Sequence, residues 1–266
     1  VGAHYAILMM GRQWNKYHIK PASQCADMEA MLQQYDGLSF PKVKIALTGT
    51  GRVGKGALEV LRRAGIREVN TQEYLEQEFD EAVFTVLDTQ NLYLQADGSP
   101  VEPAHFYENP ESASNGFTPF AKVTDVLIHG IYWDYRAPAL FGRDEISSDD
   151  FKIAVISDIT CDVEGSIPIT LRQTAIEDPY IGIDKASGAE TTPFADGTIN
   201  VMAVGNLPNE LPRNASEDFG NTMANQVVPE LFHFESSQLL QNAMICHQGK
   251  FMPNFKYLEE WPGIND

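Results

Sequence analysis

The sequence predicts a doubly wound α/β fold built on a mainly parallel sheet. Three observations point that way. Short apolar runs of strand length recur along the chain, helical patterns separate several of them, and the first run enters a glycine-rich turn that a helical pattern leaves. This first unit spans Lys42 to Gly65. Val43-Lys44-Ile45-Ala46-Leu47-Thr48 reads as a buried strand, and Ala57-Leu58-Glu59-Val60-Leu61-Arg62-Arg63 reads as a helix. Between them, Gly49-Thr50-Gly51-Arg52-Val53-Gly54 holds glycines at the spacing G-x-G-x-x-G.

Each glycine has a physical task in such a turn. Gly49 makes the tight turn after the strand, Gly51 lets the backbone approach a pyrophosphate, and Gly54 lets the helix pack close to the sheet. The pyrophosphate would sit on the free N–H groups of the first helical turn, where the macrodipole favours negative charge. The pattern predicts a Rossmann-type dinucleotide-binding unit, with Gly49, Thr50, Gly51, Arg52, Val53 and Gly54 as cofactor-binding positions. The same letters also spell a P-loop up to Gly54-Lys55, but the next residue is Gly56. A P-loop needs a Ser or Thr hydroxyl there for magnesium, so phosphoryl transfer is the weaker fit.

Composition narrows the function further. The 266 residues suffice for one large domain or two small ones, and 37 acidic against 19 basic side chains give a net charge of -18. Such a charge repels nucleic acid and anionic membranes and favours solubility. Cys25, Cys161 and Cys246 cannot all pair with one another and show no metal-ligand spacing, which predicts a reducing compartment. No apolar run reaches eighteen residues and no secretory leader is visible, so a cytoplasmic protein with neither a membrane nor a metal is expected.

In chain order, residues 1 to 35 carry two helical patterns divided by Pro21 and rich in Met, Ala, Leu and Tyr. They read as connecting helices that dock on a sheet or cross between domains. His4 and His18 lack ligand-spaced partners and read as structural. The Rossmann domain follows over 36–206. Ile66-Arg67-Glu68-Val69-Asn70 is the candidate second strand, and Glu73 lies near the place where an acidic residue would hold the ribose hydroxyls. A solvated helix face describes Glu73 equally well. The absence of an arginine cluster there leans to NAD over NADP.

Residues 76–124 interrupt the alternation and read as an insertion, although Glu81 to Asp88 could form a strand within it. Thr124 to Trp133 reads as a buried strand running into a loop, with Arg136-Ala137-Pro138 starting the next helix. Phe151 to Asp158 is a further strand, followed by the loop Ile159 to Ser166. Ligands of open α/β sheets bind outside the carboxyl ends of the strands, which singles out Asp158 and Asp162. Asp158 could equally cap its loop, and Asp162 could be a solvated loop residue. A last strand, Thr198 to Gly205, ends in a loop fixed by Pro208 and Pro212. Beyond it, 207–266 reads as a helix capped by Asn214 or Ser216 and reaching about Phe234, then a hairpin-like tail from Ala243 to Tyr257 turning at Gln248-Gly249-Lys250.

Three separated segments together resemble the lysine-forming saccharopine dehydrogenases, including the lysine-ketoglutarate reductase domain. They are Thr48 to Gly56, His129-Gly130-Ile131-Tyr132-Trp133, and Ser157 to Ile167. The stretch from Val204 to Ser216 agrees, and it is also similar to the corresponding loop of alanine dehydrogenases and proton-pumping transhydrogenases. The resemblance implies an NAD-dependent oxidoreductase, with NADP possible, that acts on a secondary amine. Such an enzyme would split saccharopine to lysine and 2-oxoglutarate, or run in reverse, with amino acid and 2-oxo acid substrates. It also implies that Asp162 matches the catalytic aspartate near the nicotinamide. Ile131 and Tyr132 match the loop along the cofactor, and Asn206 and Leu207 residues closing over the nicotinamide side; Asp158, from its place at the strand end, is a further cofactor-binding candidate.

The resemblance further implies an amino-terminal domain, carrying an acid–base lysine and histidine, that this sequence lacks. The flanking helices would then belong to an incomplete second domain. Apolar surface over residues 1 to 20 and 219 to 258 would need that domain or another chain to cover it. Alternatives are alanine dehydrogenase-like chemistry, in which ammonia replaces lysine, and a non-catalytic nucleotide-binding module.

Overall fold

The computed structural model describes residues 1–260. The last six positions of the predicted carboxyl-terminal segment, 261–266, lie outside the described residues. Val1–Leu211 forms one compact unit and the residues from Pro212 onward form a second.

In the first unit the helices are α1 (Gly2–Gln13), α2 (Met28–Gln33), α3 (Arg52–Arg63), α4 (Thr71–Glu76), α5 (Thr89–Leu92), α6 (Pro103–Glu108) and α7 (Thr118–Ala121). The strands are β1 (Lys44–Thr48), β2 (Arg67–Glu68), β3 (Val83–Leu87), β4 (Tyr93–Leu94), β5 (Ser114–Asn115), β6 (Val126–His129), β7 (Val155–Asp158), β8 (Tyr180–Asp184), β9 (Glu190–Thr191) and β10 (Thr198–Met202). Eight of them make one sheet in the order β2-β3-β1-β6-β7-β10-β8-β9, and β4 and β5 pair as a separate ribbon.

From β2 to β10 every pairing is parallel, and β8 and β9 add an antiparallel edge. The mainly parallel α/β fold is therefore present. The chain leaves β1 toward β3 and returns on the other side of β1 as β6, which makes the β1–β6 boundary the switch point where such sheets bind ligands. Register aligns Leu87 with Thr48, Thr48 with His129 and His129 with Asp158, so four strands end in one row.

All five residues of β1 are buried, as a central parallel strand with both faces covered requires. One face packs Ile45, Leu47, Val126 and Ile128 against α1 and α3. The other packs Ala46, Leu127, Ile156 and Val201 against Phe117, Phe120, Phe141 and their neighbours. Burying such side chains contributes roughly 1.5–3 kcal/mol each, which is what fixes the sheet between its layers.

Several expectations are corrected here. α1 is not left uncovered: Tyr5, Ile7, Met9 and Met10 are buried within this unit, and α1 lies on β6, β7 and α3. The interruption at 76–124 is not all insertion, because β3 is a central strand beside β1, and the candidate second strand shrinks to β2 at the outer edge. No helix starts at Arg136. The chain there stays irregular, with Pro138 unable to donate, and Asn115 Nδ2 donates to the carbonyls of Ala139 and Leu140 in place of a helical ladder. The β8–β9 hairpin lies in the stretch between the Phe151–Asp158 and Thr198–Gly205 strands, where the sequence predicted no element.

In the second unit, α8 (Pro212–Thr222) starts at Pro212, whose fixed φ suits a first helical residue. Asn214 and Ser216 therefore lie inside the helix and do not cap it. A π-helical turn over Met223–Val227 leads into α9 (Val228–Leu231), and α10 (Gln238–Ala243) is capped by Ser237. The tail hairpin pairs β11 (Cys246–His247) with β12 (Lys250–Phe251) and turns through Gln248 and Gly249 at positive φ, as predicted. Among the described residues no helix is long and apolar enough to cross a membrane.

Candidate functional site

The glycine turn has the geometry that its spacing demands. Gly49 sits at φ +98°, and its N–H donates to Leu87 O at 2.9 Å, tying the end of β1 to β3. A Cβ on Gly49 would stand 2.7 Å from Gly130 O, and one on Gly54 would stand 1.9 Å from Gly49 O. Neither position tolerates a side chain. Around Gly51 the situation is reversed: a Cβ there would meet no described atom within 4 Å, so the space beside its backbone is open. Gly51 is the N-cap of α3 and offers no side-chain cap, and the first turn of α3 carries no acidic residue. Its leading amides and dipole are directed at that space.

Two adjoining hollows flank the turn and share Gly130, Ile131 and Tyr132. One, of about 160 Å³, is bounded by Gly49, Thr50, Gly51, Asp88, Phe106 and Tyr107. The other, of about 440 Å³, is bounded by Val53, Trp133, Ile159, Thr160 and Asp162. Together they make a crevice at the carboxyl ends of β3, β1, β6 and β7. Two buried polar atoms in its walls, Tyr93 Oη and Trp133 Nε1, have no hydrogen-bond partner among the described residues.

Asp88 follows β3, the strand beside β1, and caps α5 by accepting from the N–H groups of Gln90 and Asn91. It lines the smaller hollow beside the glycine turn. Because β2 and α4 intervene, it lies well past a distance of about twenty residues from the glycines. Its signal in the sequence is the acidic residue ending the apolar run Val83 to Leu87. Glu73, at the expected distance, instead closes a capping box with Asn70 on exposed α4.

Asp158 and Asp162 have different surroundings. Asp158 is fully buried and accepts hydrogen bonds from Thr160 N, Thr160 Oγ1, Cys161 N and Thr170 Oγ1. Of its two readings, capping the loop is what the side chain does, and its carboxylate does not line the crevice. Asp162 is exposed on that loop and lines the larger hollow. Partial burial and then the nearby Asp158 charge push its carboxyl above the usual range. Cys161 and Glu164 on the same loop hold positive φ.

His129 joins the two sides of the crevice. It is fully buried, with Nδ1 2.8 Å from Thr48 Oγ1 and Nε2 2.7 Å from Ser166 Oγ. Burial lowers its pKa to about 3, so it is a neutral brace. Arg52 is exposed on the first turn of α3. Asn206 is exposed beyond β10, and Leu207 packs toward Gly2; the two hollows are walled without them. His4 is structural, bonded to Tyr35 Oη at 2.7 Å and Lys20 O at 2.8 Å.

No family model matches the chain. Among curated proteins, the mitochondrial alpha-aminoadipic semialdehyde synthase of Mus musculus is 27% identical over 253 residues, covering 84% of this chain and 27% of that protein. The NAD(+)-dependent, L-lysine-forming saccharopine dehydrogenase of Emericella nidulans is 23% identical over 227 residues, covering 84% of this chain and 48% of that one. The chain thus spans about a quarter to a half of the length of these relatives. Among solved structures, an L-alanine dehydrogenase superposes with a TM-score of 0.49 at 15% identity, covering 97% of this chain and 60% of that one. The resemblance carried by three short segments extends over most of the sequence, and the chain is similar to the saccharopine dehydrogenases and alpha-aminoadipic semialdehyde synthases.

Proposed function

We propose that this chain is the nucleotide-binding part of an NAD-dependent amino acid dehydrogenase of saccharopine type, acting on saccharopine or, in reverse, on lysine and 2-oxoglutarate. The observation that carries this is the open space beside Gly51, walled by Asp88 on one side and Asp162 on the other. The relatives' printed names supply the substrate class. Bound nicotinamide would accept or donate the hydride; the residues of this chain bind and orient.

The amides of Arg52, Val53 and Gly54 hold the pyrophosphate, with Thr50 beside it. Asp88 accepts from the adenine ribose hydroxyls, and its charge opposes a 2'-phosphate, which favours NAD over NADP. Phe106, Tyr107 and Tyr132 make a wall for the adenine. Ile131, Trp133 and Asp162 surround the reactive ring, and Asn206 and Leu207 close from the β10 side when substrate is present. A carboxyl raised above its usual range holds a proton nearer neutrality, so Asp162 can exchange one with the substrate amine. Tyr132 and Tyr135 at the rim are more than four-fifths exposed. In this proposal they meet the part of the longer protein that carries the remaining acid–base groups.

The test combines two measurements. This chain should bind NADH, seen as quenching of Trp133 emission. The full-length protein should consume NADH with lysine and 2-oxoglutarate and lose turnover on Asp162→Ala with NADH affinity kept. Turnover confined to pyruvate and ammonia would replace saccharopine chemistry with alanine dehydrogenase chemistry, and binding without any turnover would leave a nucleotide-binding module.

A further inference from the structure

The opposite end of the sheet holds a second cavity that the nucleotide proposal does not use. About 230 Å³ in volume, it lies at the amino ends of β3, β1, β6 and β7. Lys44, Phe79, Glu78 and Asp125 line it, with Lys42, Lys122 and Lys152 also contributing.

Lys44 is out of place as an ordinary lysine. Its side chain is 8% exposed, although it opens β1 in a strand otherwise made of apolar residues and a threonine. Its stem packs between aromatic rings, with Nζ 5.8 Å from the Tyr74 centroid and 5.6 Å from that of Phe79. Its Nζ makes one long ion pair, to the almost fully exposed Glu78 at 3.9 Å, beyond hydrogen-bond distance. Among the described residues Nζ donates to no acceptor. Asp125 is also occupied, accepting from the Lys44 backbone N–H at 2.8 Å. The other lysines have partners of their own. Lys42 pairs with Asp80 at 2.7 Å, Lys122 with Asp150 at 3.0 Å, and Lys152 donates to Asp149 O at 3.2 Å.

The stem is held among the rings while the ammonium keeps open donors toward the cavity it lines, where a ligand can replace water. The cavity in front of it has room for a small molecule. We propose that this cavity binds the carboxylate of a small organic acid, with Lys44 Nζ as the charged donor. One positive charge on the cavity wall, with Asp125 and Glu78 beside it, suits a singly charged planar group. A phosphate dianion would be repelled by the same two carboxylates. The ligand can be a plain acid or an amino acid whose ammonium meets Glu78, and the site stands independently of the nucleotide crevice.

The experiment is a titration of the ¹⁵N-labelled chain with sodium acetate, glycine or sodium phosphate, against sodium chloride at matched ionic strength. The expected result is a saturable shift of the Lys44, Phe79 and Asp125 amides with acetate or glycine, leaving Gly49, Gly51 and Gly54 unmoved. Lys44→Met, which keeps the apolar stem, should weaken it about tenfold or more. Glu78→Gln, on an exposed side chain that folding does not need, should tighten acetate and weaken glycine if the ligand is an amino acid, and tighten both if it is a plain acid. Linear, chloride-like shifts would overturn the proposal. So would phosphate binding more tightly than acetate, or acetate binding that Lys44→Met leaves unchanged.

Discussion

Between Thr48 and Gly54 the chain turns on glycine backbone freedom, whereas between Asp158 and Ser166 it turns on side-chain hydrogen bonds, local ones to Asp158 and others reaching in from elsewhere. At the first wall of the crevice, Gly49 takes a positive φ and Gly54 leaves room for Gly49 O, so six consecutive residues specify the bend. At the second, Thr170 reaches Asp158 across twelve residues and His129 reaches Ser166 across thirty-seven. A turn built from backbone freedom is written locally and breaks by a single atom. A turn built from buried hydrogen bonds is written in distant strands, and it fails when the protonation of its members changes.

That difference can be tested at four points. The largest effect should come from Gly54→Val, since the added Cβ has no room against Gly49 O. A loss of about 4 kcal/mol or more in unfolding free energy is expected by denaturant titration. A variant as stable as the parent would show that the turn is not locally specified. Gly51→Val should leave stability unchanged and weaken NADH at least about a hundredfold, near 2.7 kcal/mol, by filling the space kept for the pyrophosphate. Unchanged NADH affinity would remove the pyrophosphate from this turn.

The second wall should respond to acid. His129 has a folded pKa of about 3 and His4 of about 4, both below the ordinary imidazole value of 6.5. The unfolded chain therefore binds protons that the folded one refuses. Stability is complete above pH 6.5 and falls as pH drops toward 4, by about 1.4 kcal/mol per pH unit for each histidine. His129→Gln should flatten this slope by one histidine's share, and an unaltered slope would mean that the imidazole is protonated in place. The smallest effect belongs to Asp88→Asn. Asparagine caps a helix as well as aspartate, so the melting temperature should hold, while NADH affinity falls about tenfold. If NADPH does not gain relative to NADH in this variant, Asp88 is not what excludes the 2'-phosphate.

The same contrast explains what could be read from the residues. β1, the glycine turn and α3 are recognisable because their pattern is contiguous, and the placement of Asp162 outside a strand end followed from the parallel sheet. The place of Asp88 on the crevice wall is not legible from spacing, because a two-residue edge strand, β2, and α4 lie between it and the glycines. The helix expected to start at Arg136 does not form, and the bond that Asn115 makes to this irregular run is invisible in the run's own sequence.

By itself, then, the sequence determined the parallel sheet, the bend at Gly49 and the open approach at Gly51, because apolar periodicity and glycine's missing Cβ act over neighbouring residues. The tertiary structure decided that β3 lies beside β1, that α1, of its two readings, docks on the sheet, and that Asp158 turns inward while Asp162 faces the crevice. Those choices depend on which buried donors and acceptors meet, and such meetings join residues far apart in the chain.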